Sequence, residues 1–273
     1  MATVKKTVVK KTVTKKTATK KATAPKKAAA KKVVKKKATA DDAEKKLGET
    51  DVVVVLDRSG SMRSIQDATV KGYNEFINEQ MNAEGKAFIT LIQFDHRYEV
   101  HYKSTPVEEV NDLVVGETFV PRGMTALHDA IGKTINEFNT DRDVTFVIIT
   151  DGDENSSREY TGEAVKKMIQ ACEKDKQWKF VYLGANQDAV TVAKNYGIGG
   201  SNALTYTADA NHTTMAFANV SSNVSSMRSS KMEYLKKMKI DTTVTYSAAT
   251  MDMMAKDLEF SDDQRNSSVD AKH

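Results

Sequence analysis

The run Asp51-Val-Val-Val-Val-Leu-Asp57-Arg-Ser59-Gly-Ser61 constrains this chain more than any other segment. An unbroken apolar row of this length reads as a strand covered on both faces, the habit of a parallel sheet in an α/β domain. The row ends abruptly in a carboxylate and two hydroxyls. Parallel sheets place ligands at the carboxyl ends of their strands. There Asp57, Ser59 and Ser61 alternate along an extended turn, so the three side chains can converge on one point. Convergence of hard oxygens alone suits Mg²⁺, with Mn²⁺ or Ca²⁺ as alternatives, rather than zinc.

The segments that follow alternate in period. Met62 to Met81 carries Ile65, Thr69, Gly72, Tyr73, Phe76, Ile77 and Met81 at helical spacing. Lys86 to Phe94 reads as a strand, and Asp95-His96 turns the chain into Arg97 to Tyr102, a hairpin that adds an antiparallel strand. His96 and His101 fall on its turn and edge. Leu127, Ala130, Ile131, Thr134, Ile135 and Phe138 mark a second helix, with Thr125 in its first turn. Val144 to Thr150 is another buried strand and also ends in acid, at Asp151-Gly-Asp153-Glu154-Asn155. Asp153 and Glu154 read as solvated loop acids.

Thr161 to Lys174 is predicted helical, and Trp178 to Leu183 is predicted to be a strand that closes on Gly184-Ala-Asn186-Gln-Asp188. Asn186 is expected to cap a helix starting near Gln187, with Asp188 in its positive first turn, or else to line the metal rim. Ala203 to Tyr206 makes a last short strand and Ala210 to Lys237 a closing helix on Met215, Val220, Val224 and Met227. Strands alternating with helices predict an α/β fold: a doubly wound, largely parallel sheet with one antiparallel edge strand and helices on both faces.

Charge divides the chain. Residues 1–40 hold fifteen Lys and no Asp or Glu, which leaves 26 basic against 37 acidic side chains in the remainder, a net −11. The expected organisation is a disordered Lys/Ala/Thr-rich tail over 1–48, one domain over 49–237, and a partly disordered C-terminal extension over 238–273. The tail's composition resembles that of histone H1 and bacterial histone-like tails. Its lysines repel one another and it has too little apolar surface to offset ordering entropy. Lysines without aromatic or base-reading partners imply non-specific binding of nucleic acid by residues 1–40, driven by counterion release. A tether for any other polyanion is the alternative. A single cysteine, Cys172, excludes an internal disulfide and fits a reducing, cytoplasmic compartment, nucleoid- or virion-associated as an option. No stretch reaches the roughly 20 apolar residues of a membrane span, and the basic start lacks the apolar core of a signal peptide.

Three motifs then combine. Asp57-Arg-Ser59-Gly-Ser61, Thr125 within Gly123-Met-Thr-Ala-Leu, and Asp151 within Ile149-Thr-Asp-Gly together resemble the metal-ion-dependent adhesion site of the von Willebrand factor A domain, over roughly residues 50–230. The general pattern is most similar to stand-alone members from bacteria and tailed bacteriophages. The resemblance implies that Ser59, Ser61 and Thr125 ligate Mg²⁺ directly, while Asp57 and Asp151 act directly or through water. It also implies a protein partner that presents an Asp or Glu carboxylate to the cation, and a binding module rather than an enzyme.

Two other functions compete. A metal-dependent phosphoesterase is chemically permitted by oxygen ligands. Against it, no Gly-x-Ser-x-Gly occurs, and Gly132-Lys133-Thr134 lacks the earlier glycine of a P-loop, Leu127 standing in its place. An architectural DNA-coating or virion-associated protein, in which the tail does the essential work, is the third.

Overall fold

The computed structural model describes residues 48–238, 253 and 255–270. Of the tail expected over residues 1–48, residues 1–47 lie outside the described residues, as do 239–252, 254 and 271–273 of the expected C-terminal extension. The strands are β1 Glu49–Asp57, β2 Lys86–Phe94, β3 Tyr98–Pro106, β4 Asp143–Thr150, β5 Lys179–Ala185 and β6 Ala203–Tyr206. The helices are α1 Gln66–Asn82, α2 Leu127–Glu137, α3 Gly162–Asp175, α4 Ala189–Asn195, α5 Ala210–Met238 and α6 Asp262–Ser267. Among the described residues they form one sheet in the order β3-β2-β1-β4-β5-β6. Only β2 and β3 pair antiparallel. The doubly wound sheet with one antiparallel edge is thus present.

The apolar row of β1 explains why it lies in the middle. Val52, Val54 and Leu56 face one layer, with Tyr73, Phe76 and Ile77 of α1 and Phe217, Val220 and Val224 of α5. Val53 and Val55 face the other, with Ile131 and Ile135 of α2 and Val165 and Ile169 of α3. Each of these β1 side chains is at most 2% exposed. Burying a Val or Leu side chain stabilises a fold by about 1.5–3 kcal/mol. A strand buried on both faces collects that on every residue, so the alternation of a half-exposed strand is absent. The sheet order puts the reversal of winding between β1 and β4, whose carboxyl ends open a crevice there.

Several local expectations shift. The chain after Ser61 first makes a 3-10 turn, Gly60–Ile65, and only then α1. Met81 and Met215, expected on buried faces, are 41% and 37% exposed. The cap of α4 is Asp188, not Asn186: its carboxylate accepts from Thr191 N at 3.1 Å, because the helix starts at Ala189 rather than near Gln187. Asn186 instead takes a left-handed backbone (φ 51°), and its Oδ1 accepts from Ala208 N at 2.9 Å, tying the end of β5 to the segment after β6. Residues 255–270 pack on the body through buried Leu258 and Phe260, and Ser261 with Gln264 forms a capping box on α6.

Candidate metal centre

Asp57 is the last residue of β1 and is wholly buried. Its Oδ1 accepts from Ser59 N at 2.6 Å and its Oδ2 from the Thr150 hydroxyl at 2.6 Å, so β4's final residue grips the carboxylate from the neighbouring strand. The turn after Asp57 then brings the Ser59 and Ser61 hydroxyls to 3.0 Å from each other. Ser61 Oγ donates in turn to Asp151 Oδ1 at 2.6 Å, closing a chain of oxygens from the end of β1 to the residue after β4.

Thr125 enters from a third segment. It is 2% exposed and precedes α2 rather than lying in its first turn. Its backbone is clamped by Asn155, whose Oδ1 accepts from Thr125 N at 2.9 Å and whose N–H donates to Thr125 O at 3.0 Å. Gly152 reports where its side chain lies. A methyl group on Gly152 would sit 3.4 Å from both Ser61 Oγ and Thr125 Oγ1, so the two hydroxyls border the same small space. All five sequence-derived residues therefore gather at the β1/β4 crevice.

Burial sets the charge of this cluster. Removal from water pushes the Asp57 carboxyl up to about 7, against the opposing hydrogen bonds from Thr150 and Ser59, with the nearby Asp151 carboxylate adding to the rise. Asp151 is also raised, again chiefly by burial. Two carboxylates with elevated proton affinity beside neutral hydroxyls form a site short of positive charge. The donors are all hard oxygens, so this chemistry fits a divalent cation of the Mg²⁺ type.

Sequence reasoning missed the supports. Thr150 and Asn155 lie one residue before and four after Asp151, and only the fold shows what they hold. Glu154 is not a solvated acid. It accepts from His128 N at 2.9 Å, capping the free N–H groups of α2, and from Ser156 N, Ser157 N and the Ser157 hydroxyl. These bonds hold its carboxyl below the usual range despite partial burial. In exchange, Asp129 of α2 accepts from Arg158, Glu159 and Tyr160 backbone N–H groups. Acid loop and helix are thereby locked to each other.

A second brace lies on the β2–β3 side. Arg58, 4% exposed, and Arg122 both reach Asp95 Oδ2, at 3.2 and 2.9 Å, and both pair with Glu99. Backbone bonds from Gly60 N to Gly123 O and Arg122 N to Arg58 O add to it. The left-handed Gly123 (φ 68°) packs under the His96 ring where a Cβ could not fit. The serine turn and the Thr125 loop thus share one rigid frame.

A sequence model of the von Willebrand factor type A domain matches residues 51–223. Among curated proteins none matches. Similar solved structures include proximal thread matrix protein 1 of the mussel byssus, at 14% identity and TM-score 0.48 over 64% of this chain and 45% of that one. They also include the ArnB paralogue VWA2 of Sulfolobus acidocaldarius, at 18% identity and TM-score 0.46 over 64% and 45%. The pilus adhesin SpaC of Lactobacillus rhamnosus GG is a third, at 15% and 0.49 over 65% and 30%. The chain spans less than half the length of these three structures.

Proposed function

The chain belongs to the von Willebrand factor type A family, which commonly mediates protein–protein interaction and metal-dependent adhesion, and on that premise we propose that it is a Mg²⁺-dependent protein-binding module. The observation that carries this reading is the continuous set of oxygens from Asp57 through Ser59 and Ser61 to Asp151, with Thr125 against the same space. Ser59, Ser61 and Thr125 would hold the cation, with Asp57 and Asp151 supplying charge directly or through water. A bound Mg²⁺ supplies a positive centre with exchangeable waters that a stronger oxygen ligand can replace. The protein's own part is to fix that centre: Thr150 and Asn155 orient the donors, and burial makes the carboxylates costly to ionise until a cation arrives. A partner carboxylate from Asp or Glu is the complementary group.

The surface beside the site supports a protein partner. Met124, next to Thr125 in the chain, is 52% exposed, so an apolar side chain is available to a partner beside the ionic centre. Hydrolysis is less well supported. Among the described residues the Ser59 and Ser61 hydroxyls bond to each other and to Asp151 rather than to an imidazole, the base that most often activates a serine nucleophile. The fifteen lysines of residues 1–40 add a second role in the same proposal, non-specific attachment to nucleic acid.

Mn²⁺ binding followed by electron paramagnetic resonance tests the centre. Ser59→Ala and Asp151→Ala should lose the bound-ion signal with unchanged circular dichroism, and chelator-sensitive partner capture should vanish with it. Full metal affinity in both variants would overturn the reading. Phosphate release that depends on Asp151 would replace it by the phosphoesterase. Deleting residues 1–40 should remove DNA binding and its steep salt dependence; undiminished binding would refute the tail's role.

A further inference from the structure

We propose that His212 Nε2 and Asp270 hold a second metal site, for a transition cation of the Zn²⁺ class, with Asp209 orienting the imidazole from its other nitrogen, and that the cation staples the C-terminal segment to the rim of the sheet. One ligand atom from each of Asp209, His212 and Asp270 lies within 4.8 Å of the others. The residues come from two segments far apart in sequence. Asp209 and His212 open α5 directly after β6, and Asp270 follows α6.

Each part is held in place by the backbone. Asp209 Oδ1 accepts from His212 N at 2.9 Å, the ordinary helix-capping bond, while its Oδ2 meets His212 Nδ1 at 2.5 Å. A carboxylate on Nδ1 fixes the proton there and turns the lone pair of Nε2 outward, the arrangement that primes an imidazole for a metal. Nε2 faces Asp270 Oδ1 at 3.7 Å. That is too long for a hydrogen bond, but a cation with bonds of about 2.0–2.2 Å to nitrogen and oxygen spans it. Asp270 is itself positioned: its N–H donates to Thr207 Oγ1 at 3.2 Å, and Thr207 N donates to Ser268 O at 3.0 Å. Wholly buried Ser268 also receives the Asn219 amide at 3.1 Å.

The helix cap accounts for Asp209. It does not account for a second carboxylate brought to the opposite ring nitrogen by a segment anchored through Thr207 and Asn219. Asp270 is 75% exposed, so water can complete the coordination shell. Donor chemistry separates this site from the Asp57 cluster: a nitrogen ligand favours Zn²⁺ and its neighbours, whereas oxygen alone favours Mg²⁺.

The test is calorimetric titration of Zn²⁺ into the untagged full chain in excess Mg²⁺, with backbone hydrogen exchange over residues 258–270 as a second readout. One Zn²⁺ equivalent should bind, persist in Asp57→Ala, disappear in His212→Ala and weaken by about tenfold or more in Asp270→Asn. Zn²⁺ should slow exchange over 258–270 in the wild type and not in Asp270→Asn, whose exposed side chain makes loss of folding no explanation. No Zn²⁺ uptake in excess Mg²⁺, unchanged affinity in His212→Ala, or loss of binding with Asp57→Ala instead would each overturn the proposal.

Discussion

Asp57→Asn should stabilise the metal-free protein while abolishing its response to Mg²⁺. In the folded chain Asp57 keeps its proton up to about pH 7, whereas its ordinary value is 3.8. Between those values the folded state binds more protons than the unfolded one, so metal-free stability falls as pH rises through that window. The cost is absent in acid and fully developed above the folded value. At about 1.4 kcal/mol per pH unit it reaches about 4 kcal/mol, an upper limit once local relaxation and water entry are allowed. For a domain of this size about 2–4 °C accompanies each kcal/mol, giving up to about 8–16 °C in Tm. Asparagine keeps the shape, and the Thr150 hydroxyl that donates to Asp57 can rotate to accept from its amide. Thermal melts in chelator from pH 5 to pH 8 should therefore slope downward for the wild type and much less for Asp57→Asn. Mg²⁺ at pH 8 should recover the wild type alone. A wild-type melt that is flat with pH in chelator, or an equal slope in the variant, would refute the argument that burial of this carboxylate loads the site.

Gly152→Ala should fold normally yet lose the cation, because its methyl group would stand 3.4 Å from both the Ser61 and Thr125 hydroxyls; Mn²⁺ resonance beside a thermal melt separates the two effects. Glu154→Gln removes a charged cap from α2 and should cost about 1–2 kcal/mol in denaturant unfolding. The carboxyl's lowered value means this contribution is present at neutral pH and is lost as pH falls. Gly72→Ala drives a Cβ to 2.7 Å from the Phe217 ring between α1 and α5, an overpacking expected to cost about 1–3 kcal/mol; a melting temperature equal to wild type would show that the helices can part.

The local pattern of residues was enough to give the layered sheet and to single out five oxygen-bearing residues that the fold brings together. An apolar row such as Val52 to Leu56 has a single favourable environment, the middle of a sheet covered on both sides, and the acid at its end, Asp57, is buried with it and held by Ser59 N and the Thr150 hydroxyl. Tertiary structure decided what no single segment contains. That Thr150 grips Asp57, that Asn155 clamps Thr125, and that Glu154 caps a helix 26 residues earlier in the chain are consequences of which strand ends become neighbours. Asn186 departs from expectation for the same reason: its side chain suits a cap, but a partner 22 residues later, Ala208 N, donates to it instead. Short-range chemistry writes itself into adjacent residues. The long-range bonds that raise, lower and orient that chemistry arise only when the sheet order β3-β2-β1-β4-β5-β6 is assembled.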